Sequence, residues 1–75
     1  MEPKSVENIL ATIGENLKKA RESRDKSLRE LASDCDIDHS AIAKIEKGQT
    51  NVTIKTLHVL AEALEIEFTV LLKGI

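Results

Sequence analysis

Apolar residues recur along most of this chain at the spacing of one helical face. Ile9, Leu10, Ile13, Leu17 and Ala20 form a stripe of period 3.6 that predicts a first helix ending near Arg24 or Asp25, with Gly14 a mild weakness inside it or a mark near its start. Leu28, Leu31, Ala32 and Cys35 fall at i, i+3, i+4 and i+7 and predict a second helix. Ala41, Ile42 and Ile45 make the apolar face of a third. Ile54, Leu57, Leu60, Ala61 and Leu64 supply the buried stripe of a fourth. The last segment, 66–75, reads two ways. Phe68, Leu71 and Leu72 fit one helical turn, whereas Ile66, Phe68, Val70 and Leu72 alternate like a strand, and a short helix is the preferred reading.

The polar residues between the stripes act as punctuation. Ser27 and Glu30 have capping-box spacing, so the second helix should start at Ser27. Its stripe breaks at Asp36-Ile37-Asp38, where Asp38 can cap the third helix and its carboxylate suits the positive end of that helix dipole. Gly48 is the residue best able to turn left-handed and stop this helix, and Thr53 can cap the fourth. The segment 27–48 therefore reads as two short amphipathic helices joined by a tight turn. On the outer face of the second of these stand His39, Ser40, Ala43, Lys44 and Lys47, small, polar and basic residues that suit insertion into a major groove.

These residues, in this order, resemble the phage-repressor-like helix-turn-helix family, the Cro/C1 or Xre type. The match runs through Ile13-Gly14, Leu17, Arg21, Arg24, the segment 27–32, Ile42, the segment Ile45-Glu46-Lys47-Gly48, Leu57, 61–64 and Leu71-Leu72. The resemblance implies an all-α fold: a compact bundle of four to five short helices around a central helix-turn-helix. One domain, 1–75, is expected, with its core in 9–72 and residues 1–8 as an N-terminal extension. Three positions depart from the family pattern. Leu28 stands where a glutamine often grips the DNA backbone, Asp36 where a glycine commonly sits in the turn, and Glu65 where a helix-ending glycine is usual. Aspartate tolerates a left-handed backbone better than most residues, so the turn should survive at some cost.

Composition narrows the function. A chain of 75 residues buries only roughly 60% of its unfolded surface, so pairing would help it fold as well as bind. The single cysteine, Cys35, cannot form an internal disulfide, and no apolar stretch is long enough for a signal peptide or a membrane span; a cytoplasmic location is expected. Phe68 is the one aromatic residue, too few for the stacking platforms of single-strand binders. The net charge of −2 divides unevenly: from Lys18 to Lys55 nine Lys or Arg face seven acids, a balance of +2, and each end carries −2. Phosphate responds to the local field, so a basic face on a mildly acidic protein is workable, with modest, salt-sensitive affinity.

The resemblance also assigns roles. Base contacts fall to His39, Ser40, Ala43 and Lys44, with His39 and Lys44 the leading readers and a guanine-containing half-site the implied target. Phosphate contacts fall to Ser27 and Arg29 at the start of the second helix, and to Lys47, Gln49, Thr50, Asn51 and Lys55 beyond the third. Arg21 and Glu46 form a structural ion pair in such proteins; the alternative is that Arg21 holds a phosphate. Apolar Phe68, Val70 and Ile75 suggest a symmetric dimer contact.

Enzymatic and metal chemistry find little support. Cys35 and His39 are four apart, but the turn at Asp36–Asp38 separates them, and His58 is the only other soft donor, so no metal or cofactor is expected. No nucleophile, base and orienter occur together, and the chain is not read as an enzyme. The expected function is a sequence-specific, double-stranded DNA-binding transcriptional regulator, a homodimer on an inverted-repeat operator and in the simplest case a repressor. The alternative is a protein-interaction module, an adaptor or antitoxin-like partner that keeps the fold without the operator.

Overall fold

The structure, a computed structural model, describes residues 5–75. Four α-helices, α1 (Val6–Ser23), α2 (Leu28–Cys35), α3 (His39–Glu46) and α4 (Ile54–Ala63), precede a 3-10 helix over Phe68–Leu72, and no strand occurs among the described residues. The C-terminal segment is thus helical rather than extended. Leu71 is its fully buried anchor, and Phe68 and Leu72 pack beside the core as one turn of helix allows.

The caps follow the polar punctuation. Ser27 Oγ accepts from the Glu30 amide at 3.1 Å while the Ser27 amide donates to Glu30 Oε1 at 2.8 Å, a complete capping box. Asp38 caps α3 through the Ser40 amide at 3.2 Å, and Thr53 caps α4 through the Thr56 amide at 3.1 Å. The first helix starts earlier than the stripe alone implied. Ser5 Oγ accepts from the Asn8 amide at 3.1 Å, so α1 begins at Val6, inside the stretch assigned to an extension. Val6 is exposed there, which is why the apolar stripe gave no sign of this first turn.

All four helices end by turning left-handed. Asp25, Asp36, Gly48 and Glu65 have φ of 55°, 58°, 71° and 56°. After α1, α3 and α4 the two amides that follow the cap bond back in the Schellman pattern: Asp25 to Glu22 and Lys26 to Arg21, Gly48 to Ile45 and Gln49 to Lys44, Glu65 to Glu62 and Ile66 to Ala61. Only α3 uses glycine for this. At the other three ends an acidic residue adopts a backbone that costs an L side chain roughly 1–2 kcal/mol.

The elements close a ring. α1 packs on α3, α3 on α2, α2 on α4, α4 on the 3-10 helix, and the 3-10 helix back on α1. Inside it lie Ile13, Leu17, Leu31, Ile42, Ile45, Leu57, Leu60, Leu64 and Leu71. One residue of the fourth stripe is corrected. Ile54 is 67% exposed, because it opens the first turn of α4 beside Lys55, His58 and Phe68 on an open surface rather than over the core.

Gly14 is neither a weakness nor a helix start. A Cβ there would stand 2.4 Å from the Glu46 carbonyl oxygen and 2.5 Å from that of Ile45, so the absence of a side chain lets α1 meet the end of α3 backbone to backbone. Gly14→Ala, which raises helix propensity, is therefore expected to lower stability by about 2 kcal/mol through overpacking. Glu65→Gly should raise it by about 1 kcal/mol by relieving the left-handed backbone. Urea denaturation followed by circular dichroism measures both.

Candidate nucleic-acid interface

The helix-turn-helix is held in place by one arginine. Arg21, only 9% exposed, donates from Nε to Glu46 Oε2 at 2.7 Å and from Nη2 to Glu46 Oε1 at 3.1 Å, and its Nη1 donates to the Lys26 carbonyl at 2.8 Å. The bidentate geometry joins α1 to the last residue of α3, and the third bond joins both to the loop that leads into α2. Hydrogen bonding to Glu46 raises the guanidinium's pKa further above its ordinary value, against the opposing effect of burial. Nε, Nη1 and Nη2 each hold an internal acceptor, so Arg21 serves as a structural anchor.

α3 then presents its outer face. Ser40 and Lys44, one turn apart, are exposed and line an open groove of about 440 Å³ with Thr50, Asn51, Val52 and Thr56. The start of α4 forms its far wall. The structure thus brings together two residues assigned to bases, Ser40 and Lys44, and two assigned to phosphate, Thr50 and Asn51. Gln49 joins Thr50 and Asn51 on the other side of this loop, facing Val6, Glu7 and Leu10 of α1. Lys47 and Lys55 are exposed but line no part of the groove.

His39 and Ala43 lie on a neighbouring strip of α3 and are half-buried. His39 Nδ1 stands 3.9 Å from Asp38 Oδ1, beyond hydrogen-bond distance, and neither His39 nor Ala43 lines the groove. Ser27 and Arg29 are exposed at the start of α2, yet the Ser27 hydroxyl and the amides of Ser27 and Glu30 are engaged in the capping box. The Glu30 carboxylate, kept below its ordinary pKa chiefly by its hydrogen bond from the Ser27 backbone, already occupies the positive end of this helix. Arg29 is the cation left free to reach outward there. Lys26 is instead paired with Asp34.

Two residues that shape this region gave no periodic signal. Asn16 Nδ2 donates to the Leu71 carbonyl at 2.9 Å and the Lys73 carbonyl at 2.8 Å, fastening the 3-10 helix to α1. Arg24 Nη2 donates to the Glu65 carbonyl at 3.0 Å, tying the α1 turn to the left-handed end of α4. Both bond to backbone far away in sequence, which spacing cannot reveal. Cys35 donates to the Leu31 carbonyl at 3.1 Å, and burial pushes its thiol pKa up, as befits a small core-side residue rather than a reactive one. Among the described residues no group of three or more His, Cys, Asp or Glu could hold a metal ion, and no helix is long and apolar enough to cross a membrane.

The helix-turn-helix family model HTH_3 matches residues 17–71. The restriction-modification controller protein C.AhdI from Aeromonas hydrophila is 34% identical, with a TM-score of 0.80 over 83% of this chain and 94% of that one. An HTH_3 family transcriptional regulator from Vibrio cholerae is 30% identical with a TM-score of 0.86; the match covers 89% of this chain but only 38% of the longer regulator. The controller protein C.Esp1396I, solved as a tetramer with its natural 35 base-pair operator, is 28% identical with a TM-score of 0.78 over 84% of this chain and 83% of its own. No curated protein sequence matches the chain.

Removing the buried guanidinium strands the Glu46 carboxylate, whose side chain is 7% exposed. Arg21→Ala should therefore cost about 3 kcal/mol in urea unfolding. A second outcome concerns acid. Hydrogen bonds from the Ser27 backbone and from the Ser40 side chain hold Glu30 and Asp38, respectively, below their ordinary values of 4.5 and 3.8, so the stability they contribute is complete above those values. It is lost as pH falls through the lower folded-state values. The melting temperature should thus drop below about pH 4.5, and the double variant Glu30→Gln/Asp38→Asn, which keeps neutral caps, should flatten that drop.

Proposed function

The chain belongs to the helix-turn-helix family HTH_3, and we propose that it is a sequence-specific DNA-binding transcriptional regulator that acts in the cytoplasm as a homodimer on an inverted-repeat operator. The observation that carries this reading is the groove in which Ser40 and Lys44 of α3 open beside Thr50 and Asn51. A rigid helix with a small polar residue and a flexible cation one turn apart fits a major groove, while the adjoining loop offers amide and hydroxyl donors at the height of the phosphates. His39 and Ala43 flank the base edges. Ser27, Arg29, Lys47, Gln49 and Lys55, outside the groove, serve as phosphate contacts.

Dimerisation supplies the rest of the affinity. The basic excess of the central segment is small, so one copy gathers few phosphate contacts. A second copy doubles them and places two α3 helices about 34 Å apart, one turn of DNA. Val70 and Ile75 are exposed apolar residues, 41% and 49% accessible, and Phe68 lies half-buried near them in sequence; these form the proposed contact. The likeness to C.AhdI, which extends over 94% of that protein, favours control of a restriction-modification operon, and repression by occupying a promoter is the simplest outcome.

Selection of sites from random duplex DNA tests the reading: an inverted repeat with half-sites one turn apart is expected. Lys44→Ala should then cost about 1–3 kcal/mol and relax the preference at one position of each half-site. Arg29→Ala should weaken binding uniformly and lower the salt slope by about 1 per protomer. Absence of any enriched motif at low salt would refute operator binding and direct attention to a protein partner.

A further inference from the structure

The hydroxyl of Ser40 carries one proton and two acceptor lone pairs, and ordinarily can turn either toward a base. Here it is not free to turn. Ser40 Oγ donates its proton to Asp38 Oδ2, the same oxygen that accepts the Ser40 amide at 3.2 Å. The carboxylate is held at the start of α3 by its duty as the cap, within reach of the hydroxyl. Its hydrogen bond from the Ser40 side chain is also the chief reason the Asp38 pKa lies below the ordinary value, so it stays ionised and a strong acceptor at neutral pH.

We propose that Ser40 is a fixed hydrogen-bond acceptor toward DNA, selecting an amino base, cytosine or adenine, over a keto base, guanine or thymine, within two base steps of a guanine read by Lys44. This rests on the operator-binding reading and deepens it. In the major groove, cytosine N4 and adenine N6 present donors, whereas guanine O6 and N7 and thymine O4 present acceptors. An oxygen whose proton is committed to Asp38 rewards the first pair and meets the second lone pair to lone pair. Lys44 has the opposite polarity, three donors and no acceptor, and suits guanine. The two side chains line one groove a helical turn apart, and a rise of about 5.4 Å per turn spans fewer than two base steps of about 3.4 Å. The recognition surface therefore pairs an acceptor with a donor at a defined separation, and Asp38, the α3 cap, sets the polarity of the first.

The experiment is quantitative binding of the full chain to its selected operator and to duplexes in which each base within two steps of the guanine is exchanged between amino and keto on the strand read. The wild-type protein should show about a fivefold to tenfold preference for amino bases at one such position, the effect of one hydrogen bond made or lost. Ser40→Ala should abolish that preference and leave the rest of the motif intact. Asp38→Gly keeps an acceptable cap but frees the proton to turn outward, so keto bases should bind within about twofold of amino bases, with a melting curve confirming the fold. A wild-type protein indifferent at every position tested, or a Ser40→Ala or Asp38→Gly variant that retains the full preference, would overturn the assignment while operator binding stands. A protein that selects no duplex at all removes both.

Discussion

The contact between α1 and the C-terminal end of α3 governs the arrangement of everything else. It has two parts that require each other. Gly14 lets the two backbones approach so closely that a single Cβ would collide with the carbonyls of Ile45 and Glu46. At that distance the Glu46 carboxylate reaches the Arg21 guanidinium in bidentate geometry. Withdrawing both charges from water costs several kcal/mol per ion and is offset only by such geometry with further hydrogen bonds, here one to the Lys26 carbonyl. A pair of this kind tolerates little displacement. It therefore fixes the angle of the recognition helix relative to the body of the protein, and a helix that must enter a groove of DNA needs a fixed angle.

The rest of the fold distributes small costs around that contact. Three of four helix ends place an acidic residue in the left-handed region where glycine is cheapest, and those at Asp25 and Glu65 are held by Schellman-type backbone bonds. Arg24 grips the Glu65 carbonyl, and Asn16 grips two carbonyls of the C-terminal segment. A 3-10 helix of five residues has little intrinsic stability, so the Asn16 amide and the burial of Leu71 keep the ring closed. The turn of the helix-turn-helix stands without glycine because Asp36 is among the residues that visit this conformation most readily.

The DNA-facing side shows the same economy. Both helices of the motif begin with a carboxylate, Glu30 on α2 and Asp38 on α3, that satisfies first-turn amides and partly neutralises the dipole a phosphate would otherwise use. That arrangement stabilises short helices in a small protein at the expense of backbone affinity for DNA. Lysines 44, 47 and 55 and Arg29 are all exposed on flexible stems. Under the proposed operator reading, two modest half-sites would have to sum, which is a mechanistic reason for a dimer.

Much of this was legible in the chain itself. Local rules act over one helical turn, so the stripes of α1 to α4, the capping box at Ser27 and Glu30, the caps at Asp38 and Thr53, and the stop at Gly48 could all be read from spacing. The start of α1 at Val6 escaped because an exposed first turn carries no apolar mark, and Ile54 was misplaced because periodicity gives a residue's face but not whether anything lies opposite it. The purpose of Gly14, the two carbonyls held by Asn16, and the separation of Ser40 and Lys44 from His39 depend on what stands across a gap. Local pattern in the chain is enough to show which segments are helices, where all but the first begin, where they stop, and which residue types could meet DNA. Which of those residues share a groove, and which hydroxyl already has an acceptor, emerges on folding, because those are properties of atoms brought together from distant parts of the chain or set by a particular rotamer.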